Sequence, residues 1–259
     1  MGSIKDPYLD SFSNFVISYP KCGRTWLHVA LGKVFSYVEG FQDELILDNS
    51  FMDNINLFPY FYHDHSNKKR SIIGNKTKYS SKSIIFLTRD PIDVVWSYYS
   101  HCRYRTKKFK GSFSKFIESE KYGIEKVVLF YNIWFKNRLI PHKFINIRYE
   151  DMKKDMSIVL KNVVNFIGLE NCTTDIIYKS VKFAEFENMR QMEKHNYFKA
   201  GAMKILNPKE KEIPLNERKV RLGKTGEGYK HLNKLDKIYV NKIIEKCVSE
   251  KYFYFLDRL

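Results

Sequence analysis

The chain has 259 residues and a mass of 30.9 kDa, with 44% hydrophobic and 16% aromatic residues, a composition that excludes a disordered chain. Its 45 lysines and arginines against 29 acids give a formal charge of +16, a field that favours a polyanionic ligand. Four scattered cysteines without a C-x-x-C pair, a polar Met1–Asp10 stretch and no long apolar run argue against zinc, disulfides, a signal peptide and a membrane span, and favour a reducing, cytoplasmic setting.

Strand and helix signals alternate, which predicts βαβ units around a central parallel sheet, in one α/β domain over residues 1–259. Phe15 to Tyr19 reads as a short buried strand, and Pro20 to Arg24 as a turn. A helix is expected from about Thr25, with Trp26, Val29, Ala30 and Val34 on one face. Residues 34–67 hold no Lys or Arg but six acids: Glu39, Asp43, Glu44, Asp48, Asp53 and Asp64. Aromatics, among them Phe58 and Tyr60, are interleaved with them, and a strand-like run from Tyr60 carries His63 and His65. A second strand, Ile84 to Thr88, leads through Arg89-Asp90-Pro91 into a helix, where Pro91 suits the first turn because it lacks an N–H. Residues 103–112 read as a basic loop, 124–139 as an amphipathic helix, 144–149 as a strand and 153–167 as a helix. Residues 200–228, rich in Gly, Pro and charge, read as a long loop, functional or disordered, and helical spacing returns over 235–255.

The first strand–turn–helix has the makings of an anion site. A helix N-terminus offers unpaired N–H groups and the positive end of a dipole; Lys21 sits in the turn, and Gly23 lets the backbone approach closely. The Walker pattern is absent. The second unit repeats the logic: Arg89 stands at the carboxyl end of a strand, where open α/β sheets bind ligands, and Ser97 lies two turns into the helix. Two anion sites after two strands suit a ligand with two separated phosphate-like groups.

Tyr19-Pro20-Lys21-Cys22-Gly23-Arg24-Thr25-Trp26 resembles the Y-P-K-[SC]-G-T-T-W loop of the sulfotransferases that use 3′-phosphoadenosine 5′-phosphosulfate (PAPS), with Arg24 in place of Thr. Arg89 to Tyr99 is similar to that family's R-[ND]-x-x-D-x-x-x-S-x-Y block. Tyr149-Glu150-Asp151, Phe186 to Met189 and Arg221 to Gly226 resemble three further blocks, in family order. The resemblance implies a P-loop-like sulfotransferase fold, PAPS as donor, 3′-phosphoadenosine 5′-phosphate (PAP) as product, and no metal. It assigns the phosphosulfate to Lys21, Cys22, Gly23, Arg24 and Thr25. It assigns adenine to Trp26, Tyr149 and Phe186, and the 3′-phosphate to Arg89, Ser97, Arg221, Gly223 and Lys224.

The family's basic histidine lies in K-T-H-x-P, which is absent here. The resemblance points to His63 as general base, with His65 the alternative. The acceptor is expected to be a small molecule that offers a hydroxyl or an N–H and meets Phe58, Tyr60, Asp64, Asp48 and Asp53. Carboxylates beside aromatic faces suggest a cation, such as a guanidinium alkaloid of the saxitoxin type, with a phenol or alcohol as the alternative. A P-loop nucleotide kinase would need a Walker loop, and a nucleic-acid-binding protein a recognisable module; neither is found, so no nucleic-acid or membrane partner is expected. The oligomeric state stays open, a homodimer being one alternative.

Overall fold

The computed structural model describes residues 7–62, 74–198, 200–203, 217–221 and 223–248. Among the described residues four strands, β1 (Asn14–Ser18), β2 (Tyr60–Tyr62), β3 (Ser83–Thr88) and β4 (Lys143–Arg148), form one sheet in the order β2-β1-β3-β4, with every pair parallel. All of β1 and most of β3 are buried, which is why both read as continuous apolar runs rather than alternating ones. Two groups of helices cover the sheet. One is α2 (Arg24–Glu39) with α8 (Met156–Ile167) and α9 (Thr174–Phe183). The other is α4 (Pro91–Ser100), α5 (Phe113–Ile117), α6 (Ile124–Lys136) and α11 (Lys234–Val248). Phe86 of β3 anchors the second group by meeting the rings of Phe130, Tyr131, Trp134 and Phe135 on α6.

From β1 the chain goes to β2 on one side, then returns to place β3 on the other. The connections therefore reverse direction between β1 and β3, and a crevice opens at the carboxyl ends of those two neighbouring strands. This places the Lys21 turn and the Arg89 turn side by side.

Several boundaries differ from the sequence reading. The helix expected over 153–167 is two helices, α7 (Tyr149–Lys154) and α8, because the Asp155 carboxylate accepts from Ser157 N and Ile158 N and starts a new helix. The basic loop at 103–112 opens as a π-helical turn, His101–Arg105, that extends α4. α9 and the following α10 (Phe186–Lys194) were not anticipated. α2 is buried from Leu27 through Ser36, well beyond the single stripe expected. No helix among the described residues is long and apolar enough to cross a membrane.

Candidate active site

The first wall of the crevice is the turn between β1 and α2. Lys21 (φ 75°) and Gly23 (φ 93°) both take left-handed backbone. At Gly23 this requires glycine twice over, since a Cβ would also lie 2.7 Å from the Tyr149 ring. Gly23 is the N-cap of α2 and supplies no capping side chain, so the first-turn N–H groups keep the positive end of the helix open toward the crevice. Cys22 does not share this wall. It is buried, its Sγ lies 3.2 Å from the Tyr131 hydroxyl, and burial pushes its thiol up to about 12.

The second wall, between β3 and α4, is built differently. Asp90 caps α4, accepting from Ile92 N (2.8 Å) and Asp93 N (3.1 Å), and Pro91 has no N–H. This helix start has already spent its backbone donors. What remains are the side chains of Arg89 and Ser97. The Arg89 guanidinium donates to the carbonyls of Lys21 (3.2 Å) and Lys224 (2.8 Å), lies over the Tyr149 ring, and keeps a buried Nε with no partner among the described residues. Behind both turns stands Tyr131, whose hydroxyl accepts from Arg89 N (3.1 Å) and donates to Arg89 O (2.9 Å) while touching Cys22.

The third wall is made by the late residues 217–221 and 223–228, held by two buried acids. Glu193, only 2% exposed, accepts from Lys219 N (2.6 Å), Val220 N (2.8 Å) and the Arg105 guanidinium (3.0 Å). Asp93 accepts from Gly226 N (2.7 Å) and Gly228 N (2.8 Å). These anchors run Lys219, Arg221 and Lys224 along the crevice. Gly223 (φ 61°) lets the segment cross Phe186, where a Cβ would sit 2.7 Å from the ring.

Together the walls enclose a cleft of about 950 Å³, including its part open to solvent. Lys21, Arg24, Arg89, Lys219, Arg221 and Lys224 line it, with Trp26, Trp96, Tyr149 and Phe186 as aromatic surfaces and Thr25 and Ser97 as hydroxyls. Trp26 is fixed by donating to Ala184 O (2.9 Å) and meets the Tyr149 ring edge-on. The cations crowd one another. Burial, and then Lys219, Arg105, Arg221 and Arg89, hold the Lys21 ammonium well below its ordinary range. Burial, and then Arg24 and Arg105, bring Lys219 down to about 8 against the pull of Glu193. Burial and Arg89 lower Arg221 as well. A cleft that penalises its own charges in this way is complementary to a bound polyanion.

The residues expected to meet an acceptor fare less uniformly. Phe58 is a core residue, edge-on to Phe35, and Tyr60 stacks on Phe12; neither lines the cleft. Asp48 caps the short helix α3 (Asn49–Met52) by accepting from Ser50 N and Oγ. Asp43 pairs with Lys33 at 2.6 Å and accepts from Ser36 Oγ. Asp53 is half-buried, with its carboxyl pushed up by burial, and is not part of the cleft. Of the acids expected to select a cation, Asp48 is used inside the fold and Asp53 stands outside the cleft. His63, Asp64 and His65 lie outside the described residues.

Sequence reasoning missed Lys219, Glu193 and Tyr131. Glu193 left one signal: it falls at i+7 from Phe186 and i+4 from Met189, so a lone acid shares the inward face of α10 with two apolar residues.

A family profile for the sulfotransferase domain matches residues 13–251. A flavonol 3-sulfotransferase of Flaveria bidentis is 25% identical over 259 residues, covering 88% of this chain and 81% of the relative. An amine sulfotransferase of Oryctolagus cuniculus is 27% identical over 209 residues, covering 71% of this chain and 64% of the relative. Among solved structures, mouse sulfotransferase SULT7A1 complexed with PAP superposes with a TM-score of 0.64 at 18% identity, covering 95% of this chain and 88% of that one.

Proposed function

The chain belongs to the PAPS-dependent sulfotransferase family, and we propose that it moves the sulfuryl group of PAPS to a hydroxyl of a small-molecule acceptor. The observation that carries this reading is the cation-lined cleft at the uncapped start of α2, faced by the rings of Trp26, Trp96, Tyr149 and Phe186. The donor carries roughly four negative charges, counting about two for a terminal phosphate. The residues present fit it: an open helix end, a buried Arg89 Nε without a partner among the described residues, and two glycines that admit the Tyr149 and Phe186 rings.

In this reading Lys21, the N–H groups of Gly23 to Thr25 and Arg24 face the phosphosulfate end. There they stabilise the negative charge that grows as the sulfuryl group leaves, without reorganising. Arg89, Ser97, Arg221 and Lys224, with the Gly223 turn, hold the 3′-phosphate. Trp26, Tyr149 and Phe186 enclose adenine. When bound, PAPS supplies an activated sulfuryl group on a phosphate leaving group, and no metal is required of the protein. His63 takes the proton of the acceptor hydroxyl, with His65 the alternative base. The acceptor is a phenol or alcohol. A guanidinium alkaloid would find Asp43 and Asp48 already engaged and the cations of the cleft opposed to it.

Calorimetric titration of the intact protein with PAP tests the donor site: saturable binding is expected, and its absence removes the proposal. His63→Ala should leave PAP affinity intact and cut turnover by about 10²–10⁴. The same phenotype in His65→Ala instead would move the base by two residues.

A further inference from the structure

We infer that Tyr131 is a positioning residue for the donor: its hydroxyl ties the Lys21 turn to the Arg89 turn from the buried side and so fixes the spacing between the two phosphate sites. The inference rests on the sulfotransferase reading above and adds to it a residue that does not line the cleft.

β1 and β3 run in register up to the pair Ser18 and Leu87. Past that pair the two chains leave the sheet, one into the Lys21 turn and the other into the Arg89 turn, and the ladder no longer sets the distance between them. Both ends of the donor are gripped in that region. Tyr131, on α6 and only 1% exposed, lies behind it. Its hydroxyl accepts from Arg89 N (3.1 Å) and donates to Arg89 O (2.9 Å), and it stands 3.2 Å from Sγ of Cys22, the residue after Lys21. A phenol carries one hydrogen, and here that hydrogen goes to Arg89 O, so the Cys22 thiol is the donor of the third bond. Burial favours the protonated thiol, as that bond requires. One oxygen atom thus acts as a further rung between the two turns.

The ring of Tyr131 does not need this hydroxyl to pack. It meets Phe86 edge-on at 6.0 Å and Phe130 at 6.2 Å, contacts that phenylalanine would keep. On the cleft side the turns are also joined, by the Arg89 guanidinium on Lys21 O (3.2 Å). That bond is made by the side chain assigned to the 3′-phosphate. Tyr131 braces the main chain on the other side, where no ligand competes for it. A ligand that grips both turns gains from a fixed spacing, because the turns need not be ordered on binding. A ligand that grips one turn gains nothing from it.

The test compares PAP with adenosine 5′-monophosphate and adenosine 3′-monophosphate, each of which fills one of the two phosphate sites. All three are titrated calorimetrically into the intact protein and into Tyr131→Phe, the weaker ligands by displacement with PAP. Tyr131→Phe should lose about tenfold in PAP affinity, on the scale of one hydrogen bond, and change either monophosphate by less than about twofold. An equal loss on all three ligands assigns the hydroxyl to general stability, and a loss shared by PAP and the 3′-monophosphate alone makes it a support of Arg89 only. Either result overturns the inference, as does an unchanged PAP affinity. Cys22→Ala cuts the same tie from the other turn, which keeps the inference open to refutation should Tyr131→Phe not fold. It should reproduce the selective loss of PAP affinity, and Cys22→Ser, which keeps a donor, should restore most of it. The double variant Tyr131→Phe with Cys22→Ala should lose no more than either single one, and additive losses overturn the tie. If the unmutated protein fails to bind PAP at all, the sulfotransferase reading falls. PAP binding with a uniform response to the variants removes only the role of Tyr131.

Discussion

The two βα turns that meet at the switch point begin their helices in opposite ways. α2 starts at Gly23, which has left-handed backbone and no capping side chain. α4 starts at Asp90, whose carboxylate closes the first turn, followed by Pro91. An anion at the first turn can be held by backbone N–H groups and a dipole. At the second it must be held by side chains, and Arg89 is already engaged with two carbonyls, so it is rigid before any ligand arrives. The difference teaches that two turns with similar strand–turn–helix patterns need not offer the same chemistry: one residue at the N-cap decides whether the helix end is a binding site or a finished joint.

The largest expected effect lies at the open turn. Gly23→Ala strains a φ of 93° and drives a Cβ to 2.7 Å from Tyr149. Strain of this kind costs about 1–3 kcal/mol, and the displaced turn should lose most of its PAP affinity. Calorimetry and thermal unfolding read both, and retained PAP binding would show that the turn is not the phosphosulfate site.

Next come the two cations. Lys21→Ala and Arg89→Ala should each weaken PAP binding by about 1.5–3 kcal/mol, the worth of a charge-assisted contact. They should part company in the ligand-free protein. Arg89→Ala removes a clamp between the Lys21 and Lys224 carbonyls and should lower Tm. Lys21→Ala relieves a crowd of like charges and should not. Matching Tm losses in both variants would erase the distinction between a rigid and an open wall.

At the closed turn, Asp90→Ala should cost about 1 kcal/mol of stability through the lost cap. Its effect on PAP affinity should be small. A large loss of PAP binding with unchanged Tm would mean that the α4 start is an anion site after all.

The smallest effect concerns pH. The folded-state pKa of Lys219, about 8, lies below its ordinary 10.5, and Lys21 is lowered too. Between those values the unfolded chain binds more protons than the folded one, so the ligand-free protein should gain stability as pH rises above about 8. Bound PAP supplies the missing counter-charge and should flatten that rise. Melting curves of both forms between pH 8 and 9.5 measure it, and a parallel rise in the two forms would show that these lysines do not sense the nucleotide.

The parts of the site legible in the sequence are those whose physics is local. A buried apolar run, a glycine between it and an amphipathic helix, and an arginine at a strand end act through neighbours in the chain, so β1, β3, Lys21, Gly23 and Arg89 could be placed from residues alone. Asp90 before Pro91 was equally local. Its meaning was missed: an N-cap acid takes the first-turn N–H groups and leaves any anion there to side chains. The acids of 34–67 show the converse: their clustering suggested a shared ligand, whereas Asp43 and Asp48 each found a partner within ten residues.

By itself the sequence determined an α/β chain with two strand–turn–helix units carrying Lys21 and Arg89, because strand burial, helix periodicity and the conformational freedom of glycine depend on adjacent residues. Only the tertiary structure decided how those turns are held and what else faces them. Glu193 reaches Lys219 across 26 residues and Arg105 across 88, and Tyr131 reaches the Arg89 backbone across 42. No periodicity records such contacts. They exist because a buried polar group must find a partner wherever the packing brings one, and in this chain the packing brings α10, α6 and the late segment to the same crevice.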